Sequence, residues 1–288
     1  MGQRLPHVLL ILTIVVWGSS FPVMSFLLNS LEPMPLALGR FFIPALLSLV
    51  FIISKKNILD KKDIIRFVLA GLTGIFAYNL FLNTGQQTVS AGASSFIVNC
   101  NPLFASLIGF YILRQKVKRY FWFGIILCIF GVFIISLETY NKFSFNLGVI
   151  YILIAALLTS SYFHIIKPLV NKYGALTAFS FTIFFGTLPM LFWFNDVYQL
   201  IFSASSDILI AMSWLSIICT LLGYYTWTYS VGFFGANKAS FFLFLIPVFS
   251  IIIDFIIFYK LPNVFTLVGG LLILTTVFGI MILSYREK

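Results

Sequence analysis

Charge is what this sequence has least of. Of its 288 residues only 9% are Asp, Glu, Lys or Arg, against about 25% in an average soluble domain. Hydrophobic residues make up 61%, and the mean hydropathy is +1.07. So few charges cannot cover a water-facing surface, which excludes a soluble globular enzyme. The same apolar excess excludes a disordered chain, which needs low hydrophobicity. Acids are scarcer than bases, 8 against 18, and there are 2 histidines. The intramembrane acid and histidine series of a proton relay is therefore missing. The cysteines, Cys100, Cys128 and Cys219, sit singly inside apolar runs. Their spacing offers neither a disulfide framework nor a metal site, so they read as small buried apolar residues. No P-loop is present and no cofactor is implied.

What the chain has in abundance is long continuous apolar runs. A transmembrane β-barrel would show alternation over about ten residues per strand instead. A spanning helix needs about 20 apolar residues, and ten such spans are predicted, near 6–28, 34–54, 64–84, 91–113, 119–137, 146–166, 175–195, 208–230, 239–259 and 263–284. Residues 67–113 carry no charge over 47 positions. As one helix they would run about 70 Å, so they must fold back. The break is expected at Gly85-Gln86-Gln87-Thr88, ahead of Ser90-Ala91-Gly92. A second split is expected near Lys260-Leu261-Pro262-Asn263, where Pro262 suits a helix start. The first apolar segment is long enough to span and has no A-x-A-like cleavage site, so it reads as a retained helix.

Ten spans sort the charges. With the N-terminus inside, 15 of the 18 basic residues fall on the inner side, only Lys142 and Lys260 fall outside, and Arg40 lies within a span. Glu32, Glu138, Asp196 and Asp207 fall outside. This positive-inside pattern places both termini in the cytoplasm of a multi-pass inner-membrane protein. The net charge of +10 thereby becomes a topology signal rather than a sign of a nucleic-acid partner.

The sequence also repeats itself. Residues 91–135 align with 236–280 without gaps at 13 identities in 45, among them Ala91/Ala236, Ser95/Ser240, Phe96/Phe241, Pro102/Pro247, Gly124/Gly269 and Phe133/Phe278. This maps spans four and five onto spans nine and ten. The fold expected is all-α and polytopic, ten transmembrane helices as two five-helix repeats over 1–142 and 143–288. Five is odd, so the second repeat enters the membrane from the opposite side. Inverted repeats are typical of secondary transporters, whose substrate site lies near the midplane between the halves.

The first helix carries Trp17-Gly18-Ser19-Ser20-Phe21-Pro22. The second has Pro35 and then Leu38-Gly39-Arg40-Phe41. The fourth has Ala91-Gly92-Ala93-Ser94-Ser95 followed by Pro102, and the ninth has Ala236-Asn237-Lys238-Ala239-Ser240 followed by Pro247. In order and spacing these motifs resemble the EamA-like branch of the drug/metabolite transporter superfamily over nearly the whole chain. Gln115 and Lys260 stand where that family often has a glutamate. The resemblance implies carriage of small metabolites, commonly export.

Ionisable groups within the bilayer are costly and are candidate functional residues by default. Arg40 and Asp254 both fall in the outer third of the membrane, where they could pair as an outer gate or leave Arg40 for a carboxylate-bearing substrate. The bland alternative is snorkelling to the interface. His7 and His164 lie near inner helix ends and read as interfacial. Pro102 and Pro247, at equivalent repeat positions, are the hinge candidates for gating. The polar and aromatic residues near mid-depth are the substrate-binding candidates: Trp17, Ser20, Tyr78, Asn79, Asn83 and Ser95, with Asn99, Asn101, Tyr162, Tyr225, Trp227 and Ser240. Asn79 and Asn83 are one helical turn apart and share a face. For each residue singly, interhelical hydrogen bonding explains its presence as well. Gly124 with Gly131, and Gly269-Gly270, permit close helix packing, with a contact to a second copy of the chain as one use. Asp60 and Asp63 fall in a lysine-rich loop and read as solvated.

The expected partners are thus a small-molecule substrate and membrane lipids, with no nucleic acid. The leading expectation is a secondary transporter of a small amphipathic metabolite, such as an amino acid, working by alternating access. The alternative is an intramembrane enzyme acting on lipid or prenyl substrates, which would call for a cluster of acids, histidines or metal ligands at one membrane face. A passive channel would call for a filter or selectivity ring.

Overall fold

A computed structural model of the chain describes residues 4–55, 59–111, 114, 118–137, 146–234 and 242–286. Among them nine helices are long and apolar enough to cross a membrane, and a tenth, Leu243–Phe258, is shorter. In chain order we label them α1 (Arg4–Leu27), α2 (Pro33–Lys55), α3 (Lys61–Gln86), α4 (Ala91–Tyr111), α5 (Arg119–Ser136), α6 (Leu147–Tyr173), α7 (Ala175–Ser203), α8 (206–234), α9 (Leu243–Phe258) and α10 (Val264–Arg286). The chain is a multi-pass membrane protein. We call the side bearing the start of α1 and the end of α10 the terminal face, and the other side the far face.

Both expected breaks are present. Between α3 and α4, Ser90 caps the new helix by accepting from the Ala93 N–H. Between α9 and α10, Tyr259 takes a left-handed conformation at φ 54° and Asn263 Oδ1 accepts from Phe265 N–H at 3.1 Å. These side chains satisfy donors that a helix start leaves open. The helices α6 and α7 overrun their expected ends, reaching Tyr173 and Ser203.

Internal irregularities repeat at the same offset of 145 residues found in the sequence. A π-helical stretch runs through Leu72–Ala77 in α3 and through Trp214–Leu222 in α8. The helix α4 is interrupted at Asn99 and Cys100, while α9 opens with a 3-10 turn at Leu243–Leu245. Pro102 and Pro247 each lie in the first turn of the half-helix that follows. They therefore start helices rather than kink them from within, because a proline at a first turn removes a donor that had no partner anyway.

Packing follows the membrane pattern of small residues inside and large apolar ones outside. The helix α5 turns Phe123, Ile126 and Phe130 outward and buries Gly124, Cys128, Gly131 and Ile135. That inner face lies along α10. A Cβ on Gly269 would sit 2.5 Å from the Gly131 carbonyl oxygen. These glycines thus serve close helix packing within the chain.

Asp63 is also corrected. It is 4% exposed rather than solvated. The helix α3 begins at Lys61, so Asp63 sits in its first turn, and the overrun of α6 brings Lys172 and Tyr173 onto it. Lys172 Nζ donates to Asp63 Oδ2 at 2.6 Å and the Tyr173 hydroxyl donates to the same oxygen at 2.8 Å. Arg66 bonds the other carboxylate oxygen at 3.1 Å, and Lys172 also bonds Asp60. Asp60 itself is exposed, as read.

Candidate functional site

The site lies where the two π-helical stretches meet α1, α2 and α6. A π turn bonds i to i+5 and leaves local carbonyls displaced from the regular ladder. In α8 the Thr220 hydroxyl donates to the Leu215 carbonyl at 2.9 Å, five residues back. The Cys219 carbonyl of the same stretch accepts from Trp17 Nε1 at 3.1 Å. Trp17 also packs on Tyr224 and Trp227, each with ring centroids at 5.4 Å. The helix α1 is further stitched to α8 by Trp214 Nε1 donating to Ser19 Oγ at 2.9 Å and by the Thr13–Thr226 hydroxyl pair at 2.7 Å.

The other half carries the matching contact. Tyr162 of α6 stands 145 residues after Trp17, and Gly74 stands 145 before Cys219. A Cβ on Gly74 would meet the Tyr162 ring at 2.5 Å. Only glycine lets the aromatic side chain lie on the π stretch there. Each half thus sets one aromatic residue of its first helix on the π stretch of the other half.

Arg40 is the charge in this arrangement. It is 8% exposed, yet its partners are Thr220 Oγ1, which accepts from Nε at 3.1 Å, Met24 Sδ, at 3.3 Å from Nη1, and the face of Phe41 at 5.1 Å. Tyr78 and Tyr224 lie within electrostatic reach of it, and Tyr162 lies within reach of Tyr224. No carboxylate pairs with Arg40 among the described residues. The expected Arg40–Asp254 pair is absent there, because Arg40 is directed at α1 and α8 while Asp254 sits half-buried near Lys260 at the end of α9. A guanidinium taken out of water with so few acceptors is left with unused donors.

The remaining predicted residues divide. Tyr78 lies within reach of Arg40, and Trp17, Tyr162 and Trp227 join it through Tyr224 and the π stretches; all four keep partial exposure. Tyr225 does not join them: it is 65% exposed, and the neighbouring Tyr224 takes the inner place, packing on Trp17 and Phe179. One helical position decides this, since adjacent residues lie about 100° apart on a helix. Ser20 and Ser95 are buried and donate to carbonyls of their own helices, those of Trp17 and Gly92. Asn99 donates to the Ser95 carbonyl at 2.8 Å. The backbone carbonyl of Asn101 accepts from Ser160, and the Ala105 carbonyl faces His164 Nε2 at 2.8 Å, so both contacts tie α4 to α6. Pro102 is exposed and Pro247 buried. Ser240 lies outside the described residues. Among those residues no group of three or more His, Cys, Asp or Glu gathers to hold a metal.

On the far face a crevice of about 390 Å³ opens between α1, α8 and α9, lined by Ser19, Val23, Phe26, Asp207, Trp214 and Phe258 among others. Trp214, whose indole donates to Ser19, links this crevice to the level of Trp17.

Comparison with known proteins follows the same division into halves. The EamA-like transporter family matches residues 4–137 and again residues 146–282. An uncharacterized transporter of Bacillus subtilis, YdfC, is 30% identical over 261 residues, 90% of this chain and 85% of that protein. A probable terminal-alkyne amino-acid exporter of Streptantibioticus cattleyicolor is 24% identical, covering 96% of this chain and 92% of its own. A probable amino-acid metabolite efflux pump of Escherichia coli is 25% identical over 85% and 84%. A solved structure, 13% identical and covering 98% of both chains, has the same fold at a TM-score of 0.62.

Proposed function

The chain belongs to the EamA-like transporter family, and on that premise we propose that it is a secondary exporter of small carboxylate-bearing metabolites, amino acids among them. It is a transporter and not an enzyme. In this reading the repeats 1–142 and 143–288 exchange conformations, and the substrate sits between the two π stretches. The observation that carries the reading is Arg40, buried beside Tyr78 and Tyr224 with a hydroxyl, a thioether and a ring as its partners. A substrate carboxylate would give the guanidinium the bidentate acceptor that it lacks. The excess of Lys and Arg on the terminal face supports placing that face in the cytoplasm of the cell membrane. The names of the amino-acid exporters among the relatives point the same way.

The test is efflux from liposomes preloaded with a panel of amino and keto acids. Arg40→Met keeps length and apolar bulk while removing the charge. It should slow efflux by about tenfold to a hundredfold, the weight of one or two hydrogen bonds to a charged group. Unchanged carboxylate efflux in Arg40→Met would overturn the assignment.

A further inference from the structure

Three amide side chains of α3 are buried in a row: Asn79 at 1%, Asn83 at 0% and Gln86 at 4% exposure. They stand at i, i+4 and i+7, so they share one face. Each spends its NH2 on a backbone carbonyl. Asn79 Nδ2 donates to Ile75 at 2.7 Å, Asn83 Nδ2 to Pro33 at 3.0 Å, and Gln86 Nε2, at a long 3.4 Å, to Phe21. A carbonyl can only accept, so these bonds fix which end of each amide is nitrogen. The oxygens must then point elsewhere. All three, Asn79 Oδ1, Asn83 Oδ1 and Gln86 Oε1, are enclosed and have no partner among the described residues. Unpaired buried acceptors are uncommon and destabilising, so a run of three on one face calls for a ligand.

The row reaches the depth of Arg40. Asn83 bonds the carbonyl of Pro33, the first residue of α2, and the two helices run antiparallel. At about 1.5 Å per residue, Asn79 lies about 6 Å below that level and Arg40 about 10 Å below it. Tyr78, the neighbour of Asn79, is itself within electrostatic reach of Arg40. The site therefore offers unused donors at one point and unused acceptors close by. A bare cation at the amides would be repelled by the unpaired guanidinium, and a bare anion has no use for acceptors. A ligand carrying both a carboxylate and a protonated amine satisfies both, and an ammonium brings three donors where a hydroxyl brings one.

We propose that the Asn79–Asn83–Gln86 row is the ammonium-recognition site of the transporter, which makes its substrates zwitterionic amino acids rather than carboxylates in general. This rests on the carboxylate reading of Arg40. With the carboxylate at Arg40, the ammonium lies at Asn79 Oδ1. The next acceptors follow about 6 Å and then about 4.5 Å further along α3, a series of rungs towards the far face.

The test compares, for the same carbon skeleton, efflux of an amino acid, its hydroxy acid and its deaminated acid from liposomes. The wild type should prefer the amino acid by about tenfold, the loss expected when one charge-assisted hydrogen bond is removed. Asn79→Leu should abolish that preference while still carrying the deaminated acid, which also shows that the variant is folded. Asn79→Asp should keep or raise it, since an acceptor remains and gains charge. Equal efflux of all three compounds by the wild type, or an undiminished preference in both Asn79→Leu and Asn83→Leu, would overturn the site while leaving Arg40 in place. Loss of all carboxylate efflux only in Arg40→Met supports the carboxylate reading on its own. Failure of the wild type to carry any of the three sinks both.

Discussion

The contact between α3 and α6 and that between α8 and α1, each joining one half to the other, are the same contact by sequence offset, yet they agree in the middle and differ at the ends. At mid-depth Tyr162 rests on Gly74 and Trp17 on Cys219, both at π-helical stretches. At the terminal face the first pair is tied by Asp63 with Lys172, Tyr173 and Arg66. The equivalent end on the far face, where Asp207 and Trp214 meet Val23 and Phe26, is a crevice of about 390 Å³. Each end holds a crevice, about 480 Å³ at the terminal face and about 390 Å³ at the far face, but among the described residues ion pairs cross only the first. Under the proposed alternating access the middle level would act as a pivot and the ends as the parts that change.

The largest effect should come from spoiling a pivot. Gly74→Leu drives a side chain into the Tyr162 ring, and overpacking of this kind costs about 1–3 kcal/mol or more. The yield of monodisperse protein in detergent should fall sharply. Cys219→Ala, a truncation at the equivalent position in the other half, should be tolerated better, because Trp17 bonds the backbone carbonyl there and the side chain lost makes only weak thiol contacts with the Val16 carbonyl and the Ser19 hydroxyl. Equal tolerance of both variants would remove the distinction between a steric and a hydrogen-bonded pivot.

Next comes the ion-paired end. Lys172→Ala takes from Asp63 one of its partners and releases Asp60. Ala70, fully buried beneath this cluster beside Phe67 and Ile166, reports on its opening. With the native cysteines replaced, an Ala70→Cys variant should react slowly with a membrane-impermeant maleimide. Adding Lys172→Ala should quicken the reaction by up to about fivefold, in keeping with the modest strength of ion pairs that water reaches. No change in rate would mean that packing of Phe67 alone closes this end.

A smaller effect is expected at the second pivot. Trp17→Phe keeps the ring and loses the bond to the Cys219 carbonyl, a net loss of about 0.5–1.5 kcal/mol. It should lower the melting temperature slightly and slow exchange between the two states without abolishing efflux. A null effect on both would make Trp17 a packing residue only.

The comparison also shows what was legible in the sequence. The ten spans were, because an apolar run long enough to cross needs no tertiary context. Arg40 was, because a lone charge in such a run stands out. The offset of 145 residues was visible in Pro102/Pro247 and Gly124/Gly269. The π stretches were not, since no local residue pattern in Leu72–Ala77 or Trp214–Leu222 marks a widened turn. Tyr224 was missed in favour of Tyr225 because both are aromatic and one position decides which faces inward. Asp63 was misread because it stands among lysines, and only the overrun of α6 brings Lys172 and Tyr173 to it. The orphaned amide oxygens could not be read at all, since Asn79 and Asn83 are common interhelical glue until the direction of each amide is known.

The smallest predicted effect is that of salt, and it separates the two ends most cleanly. Lys172 and Asp60 are both half-exposed or more, so ions screen them, whereas Asp63 is enclosed. Raising ionic strength from about 0.1 M to about 1 M shortens the Debye length from about 10 Å to about 3 Å. Maleimide labelling of Ala70→Cys should then rise by about twofold at most, because the hydrogen bonds to the enclosed carboxylate persist where the outer pair is screened. The far-face crevice, whose lining holds Asp207 as its one charge among the described residues, shows no ion pair among them to screen. A cysteine at Ala211 there should label at the same rate in both salts. A salt response at Ala211 equal to that at Ala70 would mean that salt shifts the whole carrier between states rather than loosening one end.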